Sequence, residues 1–226
     1  LFQSRLFSLA KKAQKESLSL LIDAEETWIQ SLIDEQALFL IRKFNKTRAT
    51  IYTTLQMYRK DRYEYLEKLY QVAEKEDFHL GIKLVRGAYM EAEREYAKKH
   101  KKVDPIFATK KQTDDSFDKA LLFCSKRLEK ISIFIGSHNE KSMGIYAKLY
   151  QEKNSENMTA SQLLGIGDHI TYGLASLKIP CCKYVPYGKV KHVIPYLIRR
   201  AQENTSLQGE TNREIMLIRK ELKRRK

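Results

Sequence analysis

Short apolar runs, each closing on a polar residue, recur along the chain: LSLLI before Asp23, TIYTTL before Gln56, HLGIKLV before Arg86, ISIFIG before Ser137, His138 and Asn139, and CCKYV before Pro186. A weaker sixth run, MTASQLLG, contains Gln162. These predict strands, and the stretches between them carry helical spacing, as in Ile29 to Phe44, Arg62 to Glu76, Ser116 to Leu128 and Lys141 to Gln151. The repeat is mostly about 20 to 35 residues, the rhythm of βα units, with one longer interval from Arg86 to His138. Alternating units of this kind predict a parallel sheet.

A polar residue at the end of strand after strand is the mark of an α/β barrel, whose site is built from that face. The rival, a doubly wound sheet, lacks its dinucleotide fingerprint: Gly165-Ile166-Gly167 has Ile170 where the third glycine belongs. The prediction is therefore an α/β protein of the (β/α)8 TIM-like class. A complete barrel needs eight strands and about 250 residues, yet six strands can be counted in these 226 residues. The opening segment LFQSRLFSLAKKAQKES reads as a helix leading into the first run, so the first strands of the barrel are expected to lie outside this chain. No repeat or linker divides residues 1–226, which read as one domain with a basic helix at about 211–226.

The helix predicted after CCKYV has an unusual polar face. Tyr196, Arg199, Arg200 and Glu203 stand at i, i+3, i+4 and i+7, while Val193, Ile194, Leu197, Ile198 and Ala201 take the opposite side. Two guanidinium forks, a phenol and a carboxylate on one face can grip a small carboxylate. The same face also reads as a solvated one with an Arg199–Glu203 pair at i,i+4.

Composition narrows the partners. A formal net charge of +14 attracts nucleic acid, anionic lipid and anionic cofactors alike. Part of it sits in KKHKK, Lys98 to Lys102, and part in the tail, where Ile215, Leu217, Ile218 and Leu222 would give a basic amphipathic helix suited to a membrane surface or to solvent. Interleaved basic and aromatic residues are missing outside the tail, so nucleic acid is not expected as a partner. No stretch approaches the roughly 20 apolar residues that span a bilayer. Cys124, Cys181 and Cys182 form neither a disulfide framework nor a CxxC metal spacing, which suggests a reducing compartment and no metal site. HExxH, GxSxG and P-loop patterns are absent, so zinc hydrolysis, serine hydrolysis and phosphoryl transfer lack support.

Lys83, inside GIKLV, needs an anionic partner or a route to solvent, because an unpaired buried ammonium is costly. An anionic cofactor would serve. Asp23, with Glu25 and Glu26 behind it, reads either as an acidic member of a site or as a helix cap, and Glu26 could cap equally well. His138 and Asn139 sit at a strand end, where they can reach a ligand or hold structure. Gly87 and Gly188 follow strands and permit tight turns or close approach of a ligand.

The strings IDAEE, TLQMY, KLVRGAYMEAE, GSHNE, QLLGIGD, KYVPYG and YLIRRAQENTS occur in that order. Together they resemble the proline dehydrogenase family over nearly the whole chain, most of all its single-function bacterial branch close to the mitochondrial enzymes. The resemblance implies a distorted (β/α)8 barrel that holds FAD, oxidises L-proline to Δ1-pyrroline-5-carboxylate and passes electrons to a membrane quinone. It implies Arg199 and Arg200 on the proline carboxylate, Tyr184 against the proline ring, Asp23 at the substrate end, and Tyr89 and Leu164 lining the pocket. Glu203 would meet the flavin side and Tyr196 would support the arginines. Gln56, Lys83, Val85, Gly87, Ala88, His138 and Asn139 fall on the family's flavin positions, with Lys83 near flavin N5. Tyr184 implies proline over hydroxyproline as substrate. The implied location is the cytoplasm with peripheral inner-membrane association for a bacterial protein, or the mitochondrial matrix and inner membrane for a eukaryotic one. An inactive truncated relative and a basic nucleic-acid-binding module are the other readings.

Overall fold

Alternation between strand and helix is what the backbone shows, in a computed structural model that describes residues 2–206 and 208–225 and every side chain among them except those of residues 2, 199–214 and 217. Helix α1 (Phe2–Lys15) leads into β1 (Leu20–Ile22), followed by α2 (Thr27–Phe44), β2 (Ile51–Gln56), α3 (Arg62–Glu76) and β3 (Leu80–Val85). Two helices, α4 (Met90–Lys99) and α5 (Lys110–Ser125), precede β4 (Ile131–Gly136), so they fill the long interval that the sequence left open. Then come α6 (Glu140–Lys153), β5 (Met158–Leu163), α7 (Asp168–Ser176), β6 (Cys181–Tyr184), α8 (Val190–Ser206) and α9 (Gln208–Arg225). The weak run MTASQLLG is a true strand. Helix α5 starts at Lys110, ahead of the predicted Ser116, because Thr109 and Gln112 form a capping box that closes its polar first turn.

Among the described residues the sheet has six strands in the order β1-β2-β3-β4-β5-β6, all pairs parallel. Strand order never reverses, which removes the crevice of a doubly wound sheet and gives the sequential arrangement of a part-barrel. Registers such as Thr54↔Lys83, Lys83↔Phe134, Phe134↔Thr159 and Ser161↔Cys182 decide which residues share a face. Ile51, Leu55, Leu80, Ile82, Leu84, Ile131, Ile133, Ile135, Met158 and Ala160 share one face and are buried against Leu40, Ile41, Leu66, Phe117, Leu121 and Tyr146 of the helices. The opposite face carries Tyr52, Thr54, Gln56, Lys83, Val85, Phe134, Thr159, Leu163 and Tyr184, and it is less covered, with Tyr52, Lys83, Val85, Phe134, Thr159 and Leu163 half-buried.

Asn45, fully buried after α2, locks the sheet's other end. Its amide donates to the carbonyls of Ile51 and His79 at 2.8 and 3.0 Å and its oxygen accepts from Thr50 and Ile51 N–H at 3.0 and 2.8 Å, joining α2, β2 and the entry to β3.

Candidate functional site

The C-terminal ends of the strands and the loops that leave them gather most of the sequence-predicted residues. Lys83 lies in mid-sheet on the less covered face, and its ammonium pairs with Asp23, which follows β1. The pair gives Lys83 an anionic partner from the protein, and Asp23 does not stand at the N-cap position of α2. Glu26 stands at the N-cap position of α2 without a capping side-chain bond. The cap comes instead from Glu93 of α4, whose two carboxylate oxygens accept from Thr27 N–H at 2.7 Å and Thr27 Oγ1 at 2.6 Å. Glu93 is 0% exposed. A carboxyl group so enclosed is tolerable because both oxygens have donors and because it faces the positive end of the α2 dipole.

Gln56 is buried at the end of β2 and bridges two loops. Its Nε2 donates to the Glu25 carbonyl at 2.8 Å, and its Oε1 accepts from Ala88 N–H at 3.1 Å. The β1–α2 loop bearing Asp23 is thus tied to the β3–α4 loop of Val85, Gly87 and Ala88. Gly87 has φ +139°, and a Cβ there would lie 2.5 Å from the Tyr58 ring, so both conformation and packing demand glycine. Burial, then the charge of Glu93, pushes the Tyr58 phenol above its ordinary pKa. Tyr89 is the N-cap residue of α4.

His138 and Asn139 follow β4. Nε2 of His138 accepts from Leu163 N–H at 3.0 Å, and Oδ1 of Asn139 accepts from Ser142 N–H at 3.0 Å as the N-cap of α6. Gln162 joins this loop to α7: its amide approaches the Ser137 carbonyl at 3.4 Å and its oxygen accepts from Thr171 Oγ1 at 2.8 Å. Gly167, at φ +65°, opens α7 beside the His138 ring. Leu164 and Tyr184 are exposed at the ends of β5 and β6, and the Tyr184 ring stands 5.6 Å from that of Tyr196 on α8. Arg199, Arg200 and Glu203 fall within α8 on the turns after Tyr196, and their side chains lie outside the described residues. Pro195 sits inside α8, and Ile194, Leu197 and Ile198 on its apolar side are exposed.

Sequence reading placed Arg86 and Ser137 at strand ends but missed that they join the loops, and it missed Glu93 and Ser142 as members of the site altogether. Glu93 and Ser142 look like ordinary helix residues, and the joining role of all four shows only when register brings neighbouring strand ends together. Among the described residues no group of three or more His, Cys, Asp or Glu could hold a metal ion. A face with one mid-sheet cation, several hydroxyls and glycine-turned loops fits a large anionic planar cofactor by the chemistry of its donors.

This arrangement defines an α/β protein of the part-barrel type, with the candidate residues gathered at the carboxyl ends of parallel strands. The chain belongs to the proline dehydrogenase family, whose pattern it matches over residues 1–213. It is 39% identical over 98% of its length to the carbapenem antibiotics biosynthesis protein CarD of Pectobacterium carotovorum subsp. carotovorum, covering 57% of that protein. Proline dehydrogenase 1, mitochondrial, of Caenorhabditis elegans is 36% identical over 98% of the chain and 37% of its own length. Hydroxyproline dehydrogenase of Xenopus laevis is 35% identical over 98% of the chain and 49% of its own length. The chain therefore spans well under two thirds of the curated relatives it matches. The crystal structure of proline utilization A (PutA) from Bdellovibrio bacteriovorus has the same fold, with a TM-score of 0.83 at 24% identity over 91% of this chain and 22% of the other.

Proposed function

We propose that the protein bearing this chain performs FAD-dependent oxidation of L-proline to Δ1-pyrroline-5-carboxylate, with a quinone as electron acceptor, and that the six-stranded sheet is part of a distorted (β/α)8 barrel. The barrel reading draws on the sequential strand order and on β1 and β6, each of which has a single strand neighbour in the sheet. The observation that carries the functional reading is Lys83, a cation in the middle of the open sheet face, flanked by Asp23 and by the loop of Gly87 and Ala88.

Bound there, FAD would supply the two-electron acceptor. Lys83 would place positive charge beside the developing negative charge, with Val85, Gly87, Ala88, His138 and Asn139 shaping the edge of the cofactor site. Gln56 would stand at the same cofactor edge, tied to the loops of Glu25 and Ala88. Arg199 and Arg200 would hold the proline carboxylate, with Tyr196 supporting them and Glu203 meeting the flavin side. Tyr184 would rest against the ring, and Tyr89, Leu164 and Asp23 would complete the pocket. Oxidation removes a hydride from the methylene beside nitrogen and a proton from the nitrogen, leaving a carbon–nitrogen double bond. The chain's own task is orientation and charge placement.

Tyr184 favours proline over hydroxyproline, since a phenol against the ring leaves little room for a 4-hydroxyl. The second reading, hydroxyproline oxidation, draws support from the Xenopus relative. Peripheral association with the bacterial inner membrane, or with the mitochondrial inner membrane on its matrix side, is proposed for α9. Ile215, Ile218 and Leu222 of that helix are exposed beside Arg219, Lys220 and Lys223.

The test is the visible spectrum of the purified flavoprotein before and after anaerobic L-proline. Flavin absorbance at roughly 450 nm that bleaches with proline is expected, and bleaching should be lost in Arg200→Met. A colourless protein would refute the cofactor assignment, and a flavin that bleaches equally well with hydroxyproline would refute the substrate preference.

A further inference from the structure

We infer that Arg86 is a positioning residue for the cofactor edge of the site, holding the Ser137–Asn139 loop in fixed relation to the Val85–Ala88 loop. The inference rests on the flavin reading above. Arg86 follows β3 directly, and its guanidinium spends all three nitrogens on different partners. Nε donates to Asp114 Oδ1 at 2.6 Å on α5, Nη1 to Ser137 Oγ at 2.7 Å after β4, and Nη2 to Ser142 Oγ at 2.8 Å on α6. The plane lies over the buried Phe117 ring at 4.5 Å.

The two serines are themselves wired into the loop. Ser137 Oγ accepts from Asn139 N–H at 3.1 Å, Asn139 Oδ1 accepts from Ser142 N–H at 3.0 Å, and Ser142 Oγ donates to Asp118 Oδ1 at 2.5 Å. His138 lies between these anchors and is fixed on its far side by Leu163 N–H. A rigid three-way fork serves three partners from one centre, which a lysine ammonium on a flexible stem cannot reproduce. The backbone carbonyl of Arg86 also accepts from Tyr58 N–H at 2.7 Å, so the same residue is fixed against the β2 loop. Burial would raise the Asp114 carboxyl, but its hydrogen bonds from Lys110 and Arg86 prevail and hold it below its ordinary pKa, so the anchor stays ionised at neutral pH.

The experiment uses the full-length flavoprotein with Arg86→Lys, Ser137→Ala and Ser142→Ala. Hydrogen exchange is followed across residues 136–143, FAD affinity is measured by titrating the apoprotein, and proline KM is measured on flavin-loaded enzyme. Arg86→Lys is expected to speed exchange at His138 to Ser142 by about tenfold or more with strand amides unchanged, and to weaken FAD binding by a similar factor. Proline KM of the loaded enzyme should move less than about twofold, because the carboxylate clamp lies on α8. Ser137→Ala should reproduce a smaller part of both effects.

Unchanged exchange, or faster exchange with FAD affinity intact, would overturn the inference. Should Arg86→Lys fail to fold, the two serine variants decide the matter by the same two readouts. A wild-type protein that takes up no FAD would refute the flavin reading itself, and this inference with it, whatever the variants do.

Discussion

Replacing Glu93 with alanine should loosen the β1–α2 loop that bears Asp23 and destabilise the domain. The carboxylate makes two hydrogen bonds, at 2.7 and 2.6 Å, to the backbone and hydroxyl of Thr27, where α2 begins four residues after Asp23. A hydrogen bond to a charged group contributes about 1.5–3 kcal/mol, and the loss of an N-cap costs about 1 kcal/mol, a quantity that overlaps the first. The one buried methylene that is removed, Cγ, adds about 0.8 kcal/mol. Relief of the carboxylate's desolvation works in the opposite direction. The balance is a loss of about 3 kcal/mol, which for a domain of this size lowers Tm by about 6–12 °C.

Thermal unfolding of Glu93→Gln, Thr27→Val and the double variant isolates the contact. Glu93→Gln keeps the volume and one acceptor, so its cost should be about half that of alanine. The cycle should show a coupling of about 1 kcal/mol or more between the two sites. A coupling indistinguishable from zero, or a Glu93→Gln protein more stable than wild type, would mean that desolvation outweighs the bonds and that Glu93 is no latch.

Asn45→Ala should cost about 3–5 kcal/mol in denaturant unfolding, since it strands two buried carbonyls and two buried N–H groups. Asn45→Asp should still be destabilising, because it keeps the acceptor and sets a carboxylate against two carbonyls. Lys83→Met removes the cation paired with Asp23. Anaerobic stopped-flow should show flavin reduction by proline slowed about tenfold or more, and an unchanged rate would take Lys83 out of the chemistry. His79 should titrate below the ordinary 6.5, because burial and then the charge of Lys130 disfavour its protonated form. Its contribution to stability is therefore complete above about 6.5 and is lost as pH falls through the lowered folded-state value. An NMR titration should show the pKa rise toward 6.5 in Lys130→Met; a pKa that does not move would assign the shift to burial alone.

The register of the sheet accounts for most of the difference between what the sequence announced and what the structure added. Apolar runs closing before Asp23, Gln56, Arg86, Ser137 and Pro186 were readable because a parallel strand covered by helices must be apolar on its helix-facing side. The α4–α5 interval was not, since two helices in succession with a polar first turn at Lys110 leave no sharp break in the pattern. Gln56 shows the same limit at the site. Its position at a strand end was plain, but its service to both Glu25 and Ala88 depends on the lateral order of β1, β2 and β3.

By itself the sequence determined the periodicity of the elements, the ordered strings that mark the family, and the chemical types available at strand ends. These are local properties, written in residue spacing and side-chain identity. Tertiary structure alone decided that Lys83 meets Asp23, that Glu93 caps a helix begun 66 residues earlier, and that Arg86 joins three elements. Such pairings follow from strand order and register, which place residues far apart in the chain within hydrogen-bond distance. A carboxylate or guanidinium has no preference for one distant partner over another until the packed sheet excludes water and leaves it a single set of groups to satisfy.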